Sequence, residues 1–99
     1  RLAAQRVAAM TVREKAAGVV MGHVPGTDPP TLGTYMSQTG IGGFILMGAN
    51  IPADEARLAE VTAALTTDAA FPPLIAVDQE GGDVSRLTWD GLPAALTLK

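Results

Sequence analysis

There is no cysteine in these 99 residues. That excludes a disulfide framework and any metal site built on thiolates, while leaving the compartment open between cell envelope, exterior and cytoplasm. Clustered Lys and Arg are also missing: seven basic residues face ten acidic ones, for a net charge of −3. Neither a nucleic acid nor an anionic membrane surface is therefore an expected partner. No apolar run approaches the roughly 18 residues that a membrane-spanning helix needs, and no signal-peptide pattern opens the chain. Nor does the chain open on Met, so the expectation is that its natural N-terminus has been removed. His23 is the only histidine. With no second His or carboxylate beside it, it reads as a hydrogen-bonded residue at a strand end rather than as a ligand contact or proton shuttle.

What is present is an ordinary globular composition, 47% hydrophobic and 17% charged, with 11 Gly and 7 Pro. Its length allows one small domain that buries about 65% of the surface of its unfolded chain. Leu2, Val7 and Met10 recur at helical spacing among alanines. Thr11-Val12-Arg13-Glu14 is a capping-box sequence, which predicts a second helix from Val12 through Ala17. Residues 18–24, apolar and β-branched and closed by Pro25-Gly26, read as the end of that helix passing into a short first strand. Residues 25–30 are a loop by composition, and 31–38 a short helix with Leu32, Tyr35 and Met36 on its buried side. Tyr35 reads as a core aromatic with its hydroxyl at the edge rather than as a ring that stacks on a ligand.

Gly40-Ile41-Gly42-Gly43 turns into a second buried strand, Phe44-Ile45-Leu46-Met47. Glycines ahead of a strand are in the wrong order for a phosphate cradle, which argues against a nucleotide site. Asn50 ends this strand and reads as a turn residue more than as a ligand contact. Pro52 suits a first helical turn, Asp54 and Glu55 complement its positive end, and Leu58, Val61 and Leu65 recur at helical spacing, predicting a helix over 53–66. Residues 67–73 then connect to a third strand at Leu74. The alternation of strands and helices predicts parallel pairing with right-handed crossovers.

That third strand opens the most informative stretch, Leu74-Ile75-Ala76-Val77-Asp78-Gln79-Glu80-Gly81-Gly82-Asp83-Val84-Ser85-Arg86-Leu87. Its four apolar residues read as a strand buried on both faces, and polar residues and a Gly pair follow at once. In open α/β sheets and barrels, ligands sit beyond the carboxyl ends of parallel strands. Asp78 is the first side chain at that rim, and Arg86 is close enough in sequence to fold back towards it. A carboxylate accepts hydrogen bonds from hydroxyl donors and a guanidinium offers a rigid fork to oxygens. The alternative is an exposed rim salt bridge of little energetic weight. Asp78 and Glu80 would share a face of a continuing strand and tempt assignment as a catalytic pair, but the Gly pair predicts that strand geometry stops before Glu80. Gln79 and Glu80 are expected to orient neighbours and satisfy loop amides, while Gly81 and Gly82 permit backbone angles other residues resist. Leu87, Trp89, Gly91 and Pro93 show no periodicity, and Trp89 reads equally as lining a pocket or as covering the end of the sheet.

The run from Val77 to Leu87 resembles a segment of family 3 glycoside hydrolases, specifically their bacterial β-N-acetylhexosaminidase branch, whose pattern is roughly V-D-Q-E-G-G-R-V-x-R-[LF]. Met10-Thr11-Val12-Arg13-Glu14-Lys15 and Gly40-Ile41-Gly42-Gly43-Phe44-Ile45-Leu46 also resemble that family's opening elements, in the same order. The resemblance implies an α/β fold, the N-terminal portion of a (β/α)8 TIM-type barrel, with about three parallel strands and intervening helices. Residues 1–99 are then the incomplete first part of a single catalytic domain. The implied activity is the retaining removal of terminal β-linked N-acetylglucosamine from cell-wall-derived glycans, with no metal or cofactor. The implied partners are the carbohydrate substrate and the remainder of the same catalytic domain.

Within this chain the resemblance assigns substrate binding to Asp78 and Arg86 and no catalytic residue. The nucleophile, an Asp from a late strand, and the acid/base, a His on a mobile loop, are expected beyond Lys99, and His23 does not match that loop. Asp83 stands where the pattern has Arg, which reverses a charge near the pocket and leaves the finer substrate assignment open. A family 3 β-glucosidase is the sister reading, though that branch typically lacks the QEGG continuation. A non-catalytic sugar-binding module would keep Asp78 and Arg86 without a nucleophile, and a small doubly wound nucleotide-binding domain is disfavoured by its glycines. Two or three βα units with strongly apolar strands would leave a strand edge and apolar surface open, so the chain reads as the first part of something larger.

Overall fold

Two helices joined by a tight cap begin the chain. The computed structural model describes residues 1–91, 93 and 94. Helix α1 spans Leu2–Ala9 and α2 spans Val12–Gly18. The capping box predicted for α2 is complete: the Thr11 hydroxyl accepts from the Glu14 amide at 3.2 Å, and the Thr11 amide donates to the Glu14 carboxylate at 2.7 Å. Neither helix contributes a buried residue. Arg6 instead ties α1 to the chain ahead of the third strand, pairing with Asp68 at 3.5 Å and lying over the Phe71 ring at 3.7 Å.

A three-stranded parallel sheet follows, in the order β1-β2-β3, from Met21–Gly22, Gly43–Leu46 and Leu74–Val77. Phe44 pairs with Ile75 and Leu46 with Val77. Helices α3 (Pro29–Thr39) and α4 (Glu55–Leu65) fill the two crossovers and pack on each other. Period-two alternation in β2 sends Phe44 and Leu46 to the same face. There they join Leu32 and Met36 of α3 and Val61 and Leu65 of α4 in the buried core. Tyr35 meets Phe44 edge-on at 6.0 Å, as a core aromatic does. The turn into β2 needs glycine at position 42, because a Cβ there would fall 1.8 Å from the Gly18 carbonyl oxygen. This close approach is how α2 meets the sheet.

Three expectations are corrected. Helix α3 starts at Pro29, not Thr31, because Asp28 caps it and the two prolines occupy its first turn, where a missing N–H costs nothing. Helix α4 starts at Glu55 with Asp54 as its cap, so Pro52 lies outside it. Strand β3 is not buried on both faces: among the described residues it has a partner only on its β2 side, and Leu74 and Ile75 are 73% and 37% exposed. The sheet face turned away from α3 and α4 carries Leu74 together with Met21, itself 45% exposed.

Candidate functional site

The carboxyl ends of β1, β2 and β3 converge on one rim, and each ends in a differently employed polar residue. After β1, the His23 ring nitrogen Nδ1 lies 3.2 Å from the Ile45 carbonyl, which makes it the protonated donor, and the ring tilts against Phe44 at 5.8 Å. This is the hydrogen-bonded strand-end role expected of it. Further along the same loop, Asp28 spends its carboxylate on capping α3. The Thr31 hydroxyl at 2.5 Å and the Thr31 amide at 3.0 Å both donate to it and hold its carboxyl below the usual range.

After β2, a single turn of 3₁₀ helix, Gly48–Asn50, buries Asn50 completely. Its Oδ1 accepts from the Met47 amide at 3.0 Å, and its Nδ2 donates to the carbonyls of Val24 at 2.9 Å and Gly26 at 2.7 Å. Asn50 therefore staples the β1–α3 loop to the end of β2. It is structural, in agreement with its reading as a turn residue.

After β3 comes the predicted pair. Asp78 directly follows Val77, and Arg86 returns to it across a small antiparallel hairpin of β4 (Gln79–Gly81) and β5 (Val84–Ser85). Extended backbone thus resumes after Asp78 and runs through Glu80, contrary to the expectation that it stops. The Gly pair acts one residue later, with φ of +76° at Gly81 and +59° at Gly82, so that the chain reverses there. At Gly81 a Cβ would also meet the Pro93 carbonyl at 2.6 Å. Alternation along β4 turns Gln79 inward and leaves Glu80 exposed, and Asp83 is exposed in the turn.

The guanidinium of Arg86 stands 3.9 Å from the Asp78 carboxylate, with the two side chains 35% and 42% exposed. That separation exceeds a hydrogen bond, and an exposed ion pair of this kind contributes at most about 1 kcal/mol. Arg86 Nε is buried without a hydrogen-bond partner among the described residues. The pair is close enough to act on one ligand and too loosely joined to be explained by the strength of its own contact.

Sequence reasoning singled out Asp78 and Arg86, and the fold brings them together. It understated Gln79, whose carboxamide lies within hydrogen-bonding reach of five groups around Arg86. The available signal was the position of a long amide side chain between a strand end and a Gly pair. Among the described residues no helix is long and apolar enough to cross a membrane. No family model matches this chain, and neither curated proteins nor solved structures give a significant match to it.

Proposed function

We propose that this chain is the opening part of a family 3 glycoside hydrolase barrel of the β-N-acetylhexosaminidase branch. In this reading Asp78 and Arg86 hold a terminal N-acetylglucosamine unit for chemistry done by residues outside these 99. The observation that carries it is the return of Arg86 to within 3.9 Å of Asp78 at the carboxyl end of a parallel strand. That is where barrels place their ligands. The motif resemblance supplies the substrate class. The barrel itself is part of the proposal, supported by the parallel order of the three strands and by an apolar second sheet face that needs cover.

The chemistry fits a sugar hydroxyl pair. Asp78 accepts hydrogen bonds from two hydroxyls, and the Arg86 fork donates to ring or acetamido oxygens. Each charge-assisted hydrogen bond to the bound sugar is worth about 1.5–3 kcal/mol. The test is hydrolysis of a chromogenic N-acetyl-β-glucosaminide by the longer protein in which this chain is proposed to sit. Asp78→Ala and Arg86→Ala are each expected to lower kcat/KM at least roughly 10-fold, the loss of one such bond. Unchanged kinetics in both would remove the binding role. Sugar binding without hydrolysis in the unaltered protein would favour the non-catalytic module instead.

A further inference from the structure

We propose that Gln79 is the positioning residue of this rim: its carboxamide clamps the backbone at Arg86 and so aims the guanidinium towards Asp78. The value of that aim rests on the sugar-binding reading above; the clamp itself does not.

The carboxamide is engaged on both sides. Its Oε1 accepts from the amides of Arg86 at 2.9 Å and Leu87 at 3.0 Å. Its Nε2 donates to Ser85 Oγ at 2.8 Å, with the Leu87 carbonyl at 3.3 Å and Asp90 Oδ2 at 3.4 Å also within reach. Oε1 thus takes the place of a main-chain carbonyl just where β5 has ended and the ladder no longer supplies one.

Two features show why the clamp is needed. The β4–β5 ladder has only two residue pairs with a register shift between them, and so short a ribbon is marginal alone. The tip of Arg86 offers no hold of its own, since its nearest ionic contact is at 3.9 Å and its Nε has no partner among the described residues. The direction of the guanidinium must therefore come from the stem, through the backbone that Gln79 holds. The geometry also explains why the residue is an amide. A carboxylate could still accept from the Arg86 and Leu87 amides, but its second oxygen would face the Leu87 carbonyl and the Asp90 carboxylate at distances of 3.3 and 3.4 Å.

The experiment is residue-resolved hydrogen exchange at the Arg86 and Leu87 amides, alongside titration with N-acetylglucosamine, in the longer protein in which this chain is proposed to sit. Gln79→Met should speed exchange at both amides by about tenfold while leaving the amides of α3 and α4 unchanged. Gln79→Glu should speed it at neutral pH, and adding Asp90→Asn should restore most of the protection by removing the facing charge. This pair keeps the test decisive if Gln79→Met unfolds the chain. Wild-type protection at Arg86 in folded Gln79→Met, or no recovery in the double variant, would overturn the clamp. If the unaltered protein binds the sugar, the clamp variants should weaken binding in the same order as they lose protection, and equal affinity throughout would overturn the positioning role. A protein that protects these amides but binds no sugar sinks the sugar reading and leaves the clamp standing.

Discussion

Replacing Asn50 with Ala should be among the most damaging single changes available in this chain. The side chain is fully buried and satisfies one amide, Met47, and two carbonyls, Val24 and Gly26. A buried polar group stripped of its partner costs about 1–3 kcal/mol. The three residues are partly exposed, so water can repair some of the loss and the lower end applies. The expected destabilisation is about 3 kcal/mol, or about 12–24 °C in Tm for a domain of this size. Urea or thermal denaturation measures it.

Asn50→Asp sharpens the test. It keeps the acceptor for Met47 but sets a carboxylate oxygen against the two carbonyls that now lie 2.9 and 2.7 Å from Nδ2. Burial and the facing oxygens would raise the folded-state pKa of the introduced carboxyl above its unfolded value of about 3.9. A raised acid binds its proton more tightly when folded. The penalty relative to wild type should therefore be smallest below about pH 4, grow as pH rises, and level off above the folded pKa. A loss under about 0.5 kcal/mol in Asn50→Ala, or a pH-independent penalty in Asn50→Asp, would refute the staple.

Two further predictions concern the ends of α3 and the edge of the sheet. Thr31→Val removes the hydroxyl that donates most strongly to Asp28, so the Asp28 carboxyl should titrate closer to its ordinary 3.8, as NMR would read; an unmoved titration contradicts the cap. Because that carboxyl is lowered in the folded state, its contribution to stability is complete above 3.8 and is lost as pH falls through the folded value, and Thr31→Val should flatten this acid-side dependence. In isolation this chain should self-associate through the apolar face of β3 and the edge left unpaired among the described residues, and Leu74→Lys should shift sedimentation towards monomer. Identical sedimentation of the two would show that the β3 edge is not the sticking surface.

The order of helices and strands was legible because local chemistry announces it. Thr11 and Glu14 spell a capping box, Val61 and Leu65 repeat at helical spacing, and Leu74–Val77 is an apolar run bounded by prolines and an aspartate. The misplaced helix starts at Pro29 and Glu55 share a cause. Proline both breaks and begins helices, and only the aspartate that caps the backbone decides which. The exposure of Leu74 was not legible in its own four residues, since burial depends on what lies beyond the strand. At the site, the pairing of Asp78 with Arg86 followed from a strand end and a reversible loop. The hairpin that accomplishes it did not, because Gly81 and Gly82 signal a turn without saying that both flanks are extended. Gln79 was underread for a similar reason. Its five partners are mostly backbone and side-chain groups six to eleven positions away, which no local pattern records.

The sugar-binding reading is tested most directly by equilibrium binding of N-acetylglucosamine to the longer protein in which this chain is proposed to sit, followed by saturation-transfer NMR, with Asp78→Ala and Arg86→Ala compared with the unaltered protein. Saturable binding is expected, weakened at least tenfold in each variant while the fold is retained. No binding by the unaltered protein, or equal binding by all three, would contradict it and leave Asp78 and Arg86 as no more than a loose ion pair at the edge of a sheet.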